Sequence, residues 1–388
     1  MLKIQTLNPI SAKGLDLFPR DGYEVASEFS TPDAIVVRSF KMHDMELPSN
    51  LKAIARAGAG VNNIPLDRCT NQGIVVFNTP GANANAVKEL VLTGLLLASR
   101  DVVGGINWVQ SIADKGDEVS KLVEKGKSNF GGNELKGKRL GIIGLGAIGA
   151  MVANTALEFG MEVVGYDPYL SVEAAWELSS EIEKATGLET LLSNVDYISI
   201  HVPLLDSTKG MFNHEKFAMM KDGISIMNFA RGGLVDDTDL KEALKSGKVS
   251  TYVTDFPTAD VLGVKGIIPI PHLGASTEES EENCAIMAVN QTKDYLENGN
   301  IRNSVNFPKC YLSKTVGEKR VTIANHNIPN IISEVTTVFA NHNINICDLL
   351  NKSKGDIAYN IIDVNGDLTD EAINELKSIT GVITVRVI

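Results

Sequence analysis

Residues 144–149, Gly-Leu-Gly-Ala-Ile-Gly, form a G-x-G-x-x-G run. Alone such a run is a weak signal, because glycine-rich turns are common. Here it directly follows the apolar run 140–143 and opens a helical pattern over 147–159. The next apolar run, 162–166, ends in Asp167, 18 residues after Gly149. A bound dinucleotide needs that arrangement: Gly144 permits the tight turn, Gly146 lets the backbone approach a diphosphate, and Gly149 lets helix and strand pack closely. The helix start offers free N–H groups to the anion. Asp167 can accept hydrogen bonds from ribose hydroxyls and would repel a 2′-phosphate, which favours NAD over NADP.

Three further segments put polar residues where strands of the same sheet would end. The run 224–229 leads into Ala230-Arg231-Gly232-Gly233. The run 251–255 ends in Asp255, with Asp260 just beyond. The run 267–270 leads into Pro271-His272-Leu273-Gly274-Ala275. In open α/β sheets, ligands bind beyond the carboxyl ends of the strands. A lone histidine is usually a satisfied core residue, and a lone arginine a surface ion-pair partner. Pro271 before His272 and the Gly-Ala-Ser-Thr turn after it argue for the functional reading.

The elements that must position these groups follow from periodicity. Residues 1–100 alternate apolar runs at 34–37, 51–55 and 74–77 with helical stretches, the last from about 85 to 99. From residue 139 a second unit begins, with strands at 140–143, 162–166, 197–201, 224–229 and 251–255 separated by helical stretches. Strands alternating with helices predict doubly wound parallel sheets. A long helix, 278–297, leaves this unit. The last seventy or so residues read strand, helix, strand, strand, helix, strand, at 320–324, 328–340, 344–349, 358–364, 369–378 and 382–387. That βαββαβ order is ferredoxin-like.

Composition sets the outer bounds. The chain has 388 residues, enough for several domains at roughly 100–200 residues each, with 36 Lys+Arg against 48 Asp+Glu and a net charge of −12. A net-acidic chain lacks the basic footprint of a nucleic-acid or anionic-membrane binder, so an anionic substrate needs a local basic cluster. The four cysteines lie far apart without a C-x-x-C pair, which argues against a disulfide framework or a metal site and fits a reducing cytosol. No signal-peptide pattern opens the chain and no apolar run is long enough to span a bilayer. The expectation is a soluble, cytoplasmic, multi-domain protein.

The stretches RAGAGVNN (56–63), FNTPGAN (77–83), GNELKGKRLGIIGLGAIG (132–149), HVPLLDSTKG (201–210), NFARGGLVD (228–236) and PHLGAST (271–277) carry a resemblance to the D-isomer-specific 2-hydroxyacid dehydrogenases. They cover residues 50–300 in the family's order. The resemblance implies a catalytic set with Arg231 and His272 on the family's Arg and His. The family's Glu falls on Asp260, one methylene shorter. It further implies NAD contacts at Ala147, Ile148, Val202, Pro203, Phe229, Ala230, Asp255, Gly274 and Ala275, with Asp255 orienting the nicotinamide amide. For the substrate it points to Arg56 and Gly58, with Gly60 beside them, and to Asn83 and Lys88. Residues 1–98 with 281–300 would be the substrate domain and 99–280 an inserted NAD domain, the chemistry lying in the cleft between them.

The chemistry agrees with those roles. Oxidising a 2-hydroxy acid requires a group that takes the hydroxyl proton, and an imidazole titrating near neutral pH suits His272 to it. Arg231 can grip the carboxylate and polarise the developing carbonyl. Asp260 would hold the imidazole tautomer.

After a linker at 301–317, residues 318–388 resemble an ACT regulatory domain, which implies L-serine as effector at Asn327 and Asn345. A purely oligomerising module is the alternative. Asn330 stands where the family has Gly, and Asn tolerates unusual φ. The expected activity is NAD-dependent oxidation of 3-phospho-D-glycerate to 3-phosphohydroxypyruvate, the first step of serine synthesis, in a homodimer or homotetramer. The rivals are another small D-2-hydroxy acid, such as glycerate or lactate, and a non-enzymatic NAD(H) sensor. Asn71-Gln72-Gly73, where some relatives carry a basic residue, counts towards an unphosphorylated substrate.

Overall fold

The computed structural model describes residues 1–314 and 318–388. The chain divides into two compact units, one of residues 1–82 with 278–388, the other of residues 83–277.

The first unit opens with β1 (Leu2–Leu7), β2 (Tyr23–Ala26), β3 (Ala34–Val37), β4 (Ala53–Arg56) and β5 (Val75–Phe77), all parallel in the order β2-β1-β3-β4-β5. β3 and β5 are buried at every position, so they read as short apolar runs, as strands covered on both faces do. β1 and β2, with sequences LKIQTL and YEVA, are only partly buried. Their mixed composition hid them from the periodicity reading. The helix Glu278–Asn298 belongs to this unit and buries Cys284, Ala285, Ala288, Val289, Tyr295 and Leu296.

The second unit holds β6 (Arg139–Ile143), β7 (Glu162–Tyr166), β8 (Glu183–Lys184), β9 (Tyr197–Ile200), β10 (Ile224–Asn228), β11 (Val249–Thr254) and β12 (Ile267–Pro269). The sheet is parallel, ordered β12-β11-β10-β9-β6-β7-β8. The winding direction reverses between β6 and β9, which opens a crevice beyond their carboxyl ends. The helix Ala84–Ser99, expected in the first domain, packs here. Its stripe Val87, Val91 and Leu95 shares one core with Leu140, Ile142, Val152, Met227 and Val253. The domain boundaries expected at 98/99 and 280/281 therefore fall at 82/83 and 277/278.

The C-terminal sheet contains β13 (Lys319–His326), β14 (Asn345–Lys354), β15 (Ile357–Asn365) and β16 (Val382–Val387), antiparallel in the order β14-β15-β13-β16. Two helices, Ile331–Asn341 and Asp370–Ser378, complete the βαββαβ order. The first begins three residues later than periodicity predicts, because Asn330 takes φ +73 as its N-cap. One face of the sheet builds a local core from Val321, Ile323, Val335, Phe339, Ile362 and Leu376. The other face is not free: Ala324, Ile357, Tyr359 and Ile361 join Ile4, Phe77, Tyr295 and Phe307 in a single core. The expected separate domain at 318–388 is thus part of the first compact unit. Arg320 and Asp363, both almost fully buried, pair through two hydrogen bonds of 2.6 and 2.7 Å. Arg320 Nη1 also donates to the carbonyls of Asn298 and Leu312, so the buried charges are fully partnered, as burial demands.

The expected linker is also packed. Its residues 315–317 lie outside the described residues. Ile301 and Cys310 exchange backbone hydrogen bonds of 2.7 and 3.0 Å, and with Phe307 they are buried. The Asn306 amide closes the open edge of β5, accepting from Val76 N and donating to the Ile74 carbonyl. No helix among the described residues is long and apolar enough to cross a membrane.

Candidate active site

The turn after β6 is shaped by its glycines. Gly144 has φ +91, and a Cβ there would stand 2.6 Å from the His201 carbonyl oxygen. A Cβ on Gly149 would fall on the Gly144 carbonyl oxygen, so the helix Ala147–Glu158 can start close to β6 only without one. A Cβ on Gly146 would meet nothing within 4 Å. The backbone there faces open space at a helix start, the setting a diphosphate needs. Ala147 and Ile148 form the first turn of that helix. Asp167, just beyond β7, accepts from Leu145 N at 2.9 Å and from Tyr169 N at 2.8 Å. Its carboxylate thus braces the glycine turn, with lone pairs remaining on both oxygens.

His201 follows β9 and was singled out only as part of a motif. Its backbone N–H donates to Ile143 at 2.7 Å, tying β9 to β6 beside the turn. Its Nε2 lies 2.8 Å from Ser199 Oγ, and burial pushes the imidazole down to about 4. The ring is therefore neutral at neutral pH. Val202 and Pro203 come next, Val202 Cγ1 standing 3.1 Å from the position of a Gly144 Cβ.

The turn after β10 is organised by Asn228, which the sequence offers only as the first residue of the NFARGGLVD stretch. Asn228 is buried. Its Oδ1 accepts from the N–H groups of Ala230 and Arg231, and its Nδ2 donates to the Arg231 carbonyl at 2.9 Å and to Tyr252 Oη at 3.0 Å. Tyr252 is buried, which raises its hydroxyl to about 12. Phe229 packs against the helix Ala84–Ser99 at Gly94, where a Cβ would stand 2.9 Å from its ring. Arg231 is exposed, its Nη1 donating to the Ala230 carbonyl.

Asp255, at the end of β11, is 1% exposed, and neither carboxylate oxygen has a hydrogen-bond partner of good geometry. Burial raises its pKa, while the His272 charge, the backbone N–H groups of Gly274 and Asp255 and the Arg231 charge act in the opposite direction. Asp255, His272 and Arg231 are thus electrostatic neighbours. Gly274 reaches this cluster too: a Cβ on it would stand 3.3 Å from Asp255 Oδ2. Ala275 follows in the same loop. The buried carboxylate, without a hydrogen bond of good geometry, is suited to N–H donors from a bound group.

His272 is exposed, and its ring stacks on Phe256 at a centroid distance of 4.5 Å. Asp260 is exposed in the short 3₁₀ turn Ala259–Val261, with no hydrogen bond or ion pair to His272 among the described residues. The imidazole does contact Phe256, whose position between Asp255 and Pro257 carried no sequence signal of its own.

Among the expected substrate residues, Arg56 lies in the first unit. Its Nε donates to the Arg38 carbonyl at 3.0 Å, and its guanidinium folds over Gly58, whose φ is +152. Arg38, not singled out by the sequence reading, pairs with Glu281 at 2.6 Å. In the second unit, Asn83 is the N-cap residue of the helix Ala84–Ser99, without a side-chain cap bond. Lys88 donates to Asn85 Oδ1 at 2.7 Å. Of the expected effector residues, Asn327 lines a cavity of about 210 Å³ with Asn325, Asn330 and Asn351. Asn345 lies outside that lining, exposed at the start of β14.

Residues 97–274 match the family model described as D-isomer specific 2-hydroxyacid dehydrogenase, NAD binding domain. The chain is 31% identical to the D-3-phosphoglycerate dehydrogenase of Haemophilus influenzae, covering 99% of this chain and 94% of that one. It is 39% identical to the hydroxypyruvate reductase of Thermotoga maritima over 66% of this chain and 82% of the other. It spans about two thirds (66%) of the length of the D-3-phosphoglycerate dehydrogenase of Archaeoglobus fulgidus, at 32% identity over 86% of its own residues. Among solved structures, an NAD+-bound 3-phosphoglycerate dehydrogenase of Entamoeba histolytica superposes with a TM-score of 0.60 at 28% identity, covering 79% of this chain and 98% of that one. The glycine turn, the polar strand ends and these likenesses converge: the chain belongs to the D-isomer-specific 2-hydroxyacid dehydrogenases.

Proposed function

We propose that this chain is an NAD-dependent oxidoreductase that converts 3-phospho-D-glycerate to 3-phosphohydroxypyruvate. The observation that supports it most is the grouping of Arg231 and His272 around Asp255, on whose carboxylate both of their charges act, beyond the carboxyl ends of β10–β12. The likeness to D-3-phosphoglycerate dehydrogenases along nearly the whole chain narrows the substrate.

When bound, NAD supplies the acceptor for the C2 hydride. Gly146 leaves room for the diphosphate, Ala147 and Ile148 offer helix-start N–H groups, and Asp167 accepts from the ribose hydroxyls. Val202, Pro203, Phe229, Ala230 and Ala275 would complete the surface that holds the cofactor. Asp255, whose two buried oxygens have no partner of good geometry, would accept the carboxamide N–H groups, and Gly274 leaves it space. Arg231 holds the substrate carboxylate. His272 takes the hydroxyl proton as the carbon–oxygen double bond forms. The Asp255 charge stabilises the imidazolium, while the role of Asp260 in that support rests on the resemblance. Arg56, with Gly58 beneath it, is the phosphate cation, and Asn83 and Lys88 are further substrate contacts. Asn327 and Asn345 are assigned to L-serine. Association into a dimer or tetramer is supported by the helix Val102–Ser111, which buries no residue and exposes Val102, Val103, Ile106 and Val109.

A second reading, an unphosphorylated acid such as D-glycerate, draws on the likeness to a hydroxypyruvate reductase. The test is NADH formation with 3-phosphoglycerate, D-glycerate and D-lactate in parallel, each with and without L-serine. Preference for the phosphorylated acid that disappears in Arg56→Ala, together with suppression by serine, is the expected result. Equal turnover of the unphosphorylated acids would replace the substrate assignment with the second reading. In either case His272→Asn should lower kcat by about 10²–10⁴-fold, the usual worth of a proton-transfer group.

A further inference from the structure

The helix Glu278–Asn298 has two polar sides with different surroundings. Glu281 pairs with Arg38, next to Arg56. At 3.6 residues per turn, Asn283, Ile286, Asn290 and Asp294 project from the opposite side of the helix. There they line a cavity of about 630 Å³ together with Met287, Gln291, Arg302, Gly81 and Ala82. A cavity of that size is in the range that small ligands occupy.

Its polar groups are fixed in place. Gln291 is only 7% exposed. Its Nε2 donates to the Asn78 carbonyl at 3.0 Å, which fixes the amide orientation and leaves Oε1 buried without a partner. An orphaned buried acceptor calls for a donor. Asp294 Oδ1 is held by the amides of Asn298 and Asn300 at 3.0 and 2.9 Å. Its Oδ2 forms an ion pair with Arg302 Nε at 3.6 Å. The Arg302 guanidinium lies over the Tyr311 ring at 4.4 Å. That stacking sets its plane while leaving edge N–H groups for an acceptor. Ile286 and Met287, half-buried, add an apolar surface.

We propose that this cavity is a binding site for an aliphatic α-amino acid. The ammonium group donates to Gln291 Oε1 and Asp294, the carboxylate accepts from Arg302, and the side chain lies on Ile286 and Met287. Both charges of a zwitterion are needed, because the site offers an acceptor pair and a single cation. The site shares no residue with those assigned above to NAD, to the phosphorylated acid or to serine, so it stands independently of the proposed reaction.

The test is calorimetric titration of the full chain with L-leucine, leucinamide and 4-methylpentanoate. L-Leucine should bind with one site per chain, and removing either its carboxylate or its ammonium should weaken binding at least tenfold. Arg302→Gln, at an exposed position with little bearing on folding, should weaken L-leucine binding at least tenfold. Gln291→Leu should do the same, with the thermal midpoint of each variant confirming the fold. Asn327→Ala, in the C-terminal cavity, should leave L-leucine binding unchanged. No L-leucine binding, equal binding of leucinamide or 4-methylpentanoate, unchanged binding in Arg302→Gln, or loss of binding in Asn327→Ala would each overturn the proposal.

Discussion

Two turns close strands of the same parallel sheet and are built by opposite means. The turn after β6 is a matter of backbone: Gly144 and Gly149 have no room for a Cβ, and Gly146 has open space in front of it. The turn after β10 is a matter of side chains. Ala230 and Arg231 are held by the buried Asn228 amide, which is anchored in turn on Tyr252 of β11. A site that offers only backbone N–H groups can be written into six consecutive residues. A site that must aim a guanidinium depends on a residue from the next strand.

That contrast can be broken or sharpened in order of expected effect. Arg231→Gln should lower kcat/KM by about 10²–10³-fold, the typical loss of a preorganised charge-stabilising donor, with NAD affinity retained. Parallel losses in titrations of NAD binding would mean that the two turns act as one site. Gly149→Ala should do the reverse, because its Cβ collides with the Gly144 carbonyl. Overpacking of that kind costs about 1–3 kcal/mol, readable as a lower thermal midpoint and weaker NAD binding. Asn228→Ala should cost about 1–3 kcal/mol by leaving buried polar groups unpartnered. It should also reduce kcat/KM more than NAD affinity, and an equal reduction of both would assign Asn228 to the fold alone.

The glycine turn has a pH dependence of its own. Burial holds the His201 imidazole at about 4, below the roughly 6.5 of an unfolded chain. The unfolded state therefore takes up the proton first, and this contribution to stability is lost as pH falls from about 6.5 towards 4. His201→Gln should flatten the fall of the thermal midpoint over that window, whereas an unchanged slope would show that the ring is solvated. The smallest effect is expected at Asp260, which makes no bond to His272. Asp260→Asn should change kcat by less than the about 10²-fold lower limit for a proton-transfer group, and a larger loss would place Asp260 on the imidazole during turnover.

The C-terminal residues show the limits of local reading most plainly. Their βαββαβ order is visible in periodicity, and Asn330 takes the left-handed conformation that the family's Gly would occupy. Nothing local announces that the outer face of this sheet is sealed against Phe77, Tyr295 and Phe307. The buried Arg320–Asp363 pair is equally silent, because each residue alone reads as surface charge.

By itself, the sequence determined the parallel sheets, the dinucleotide turn and the positions of Arg231, Asp255 and His272 at strand ends. These follow from apolar periodicity and from glycine sterics, which act over a few residues. The tertiary structure alone decided that the helix Ala84–Ser99 joins the second unit, that residues 301–314 seal a sheet edge, and that Phe256 rather than Asp260 meets the imidazole. Each of these depends on which distant surfaces exclude water together, and burial is a property of the folded chain rather than of any segment in it.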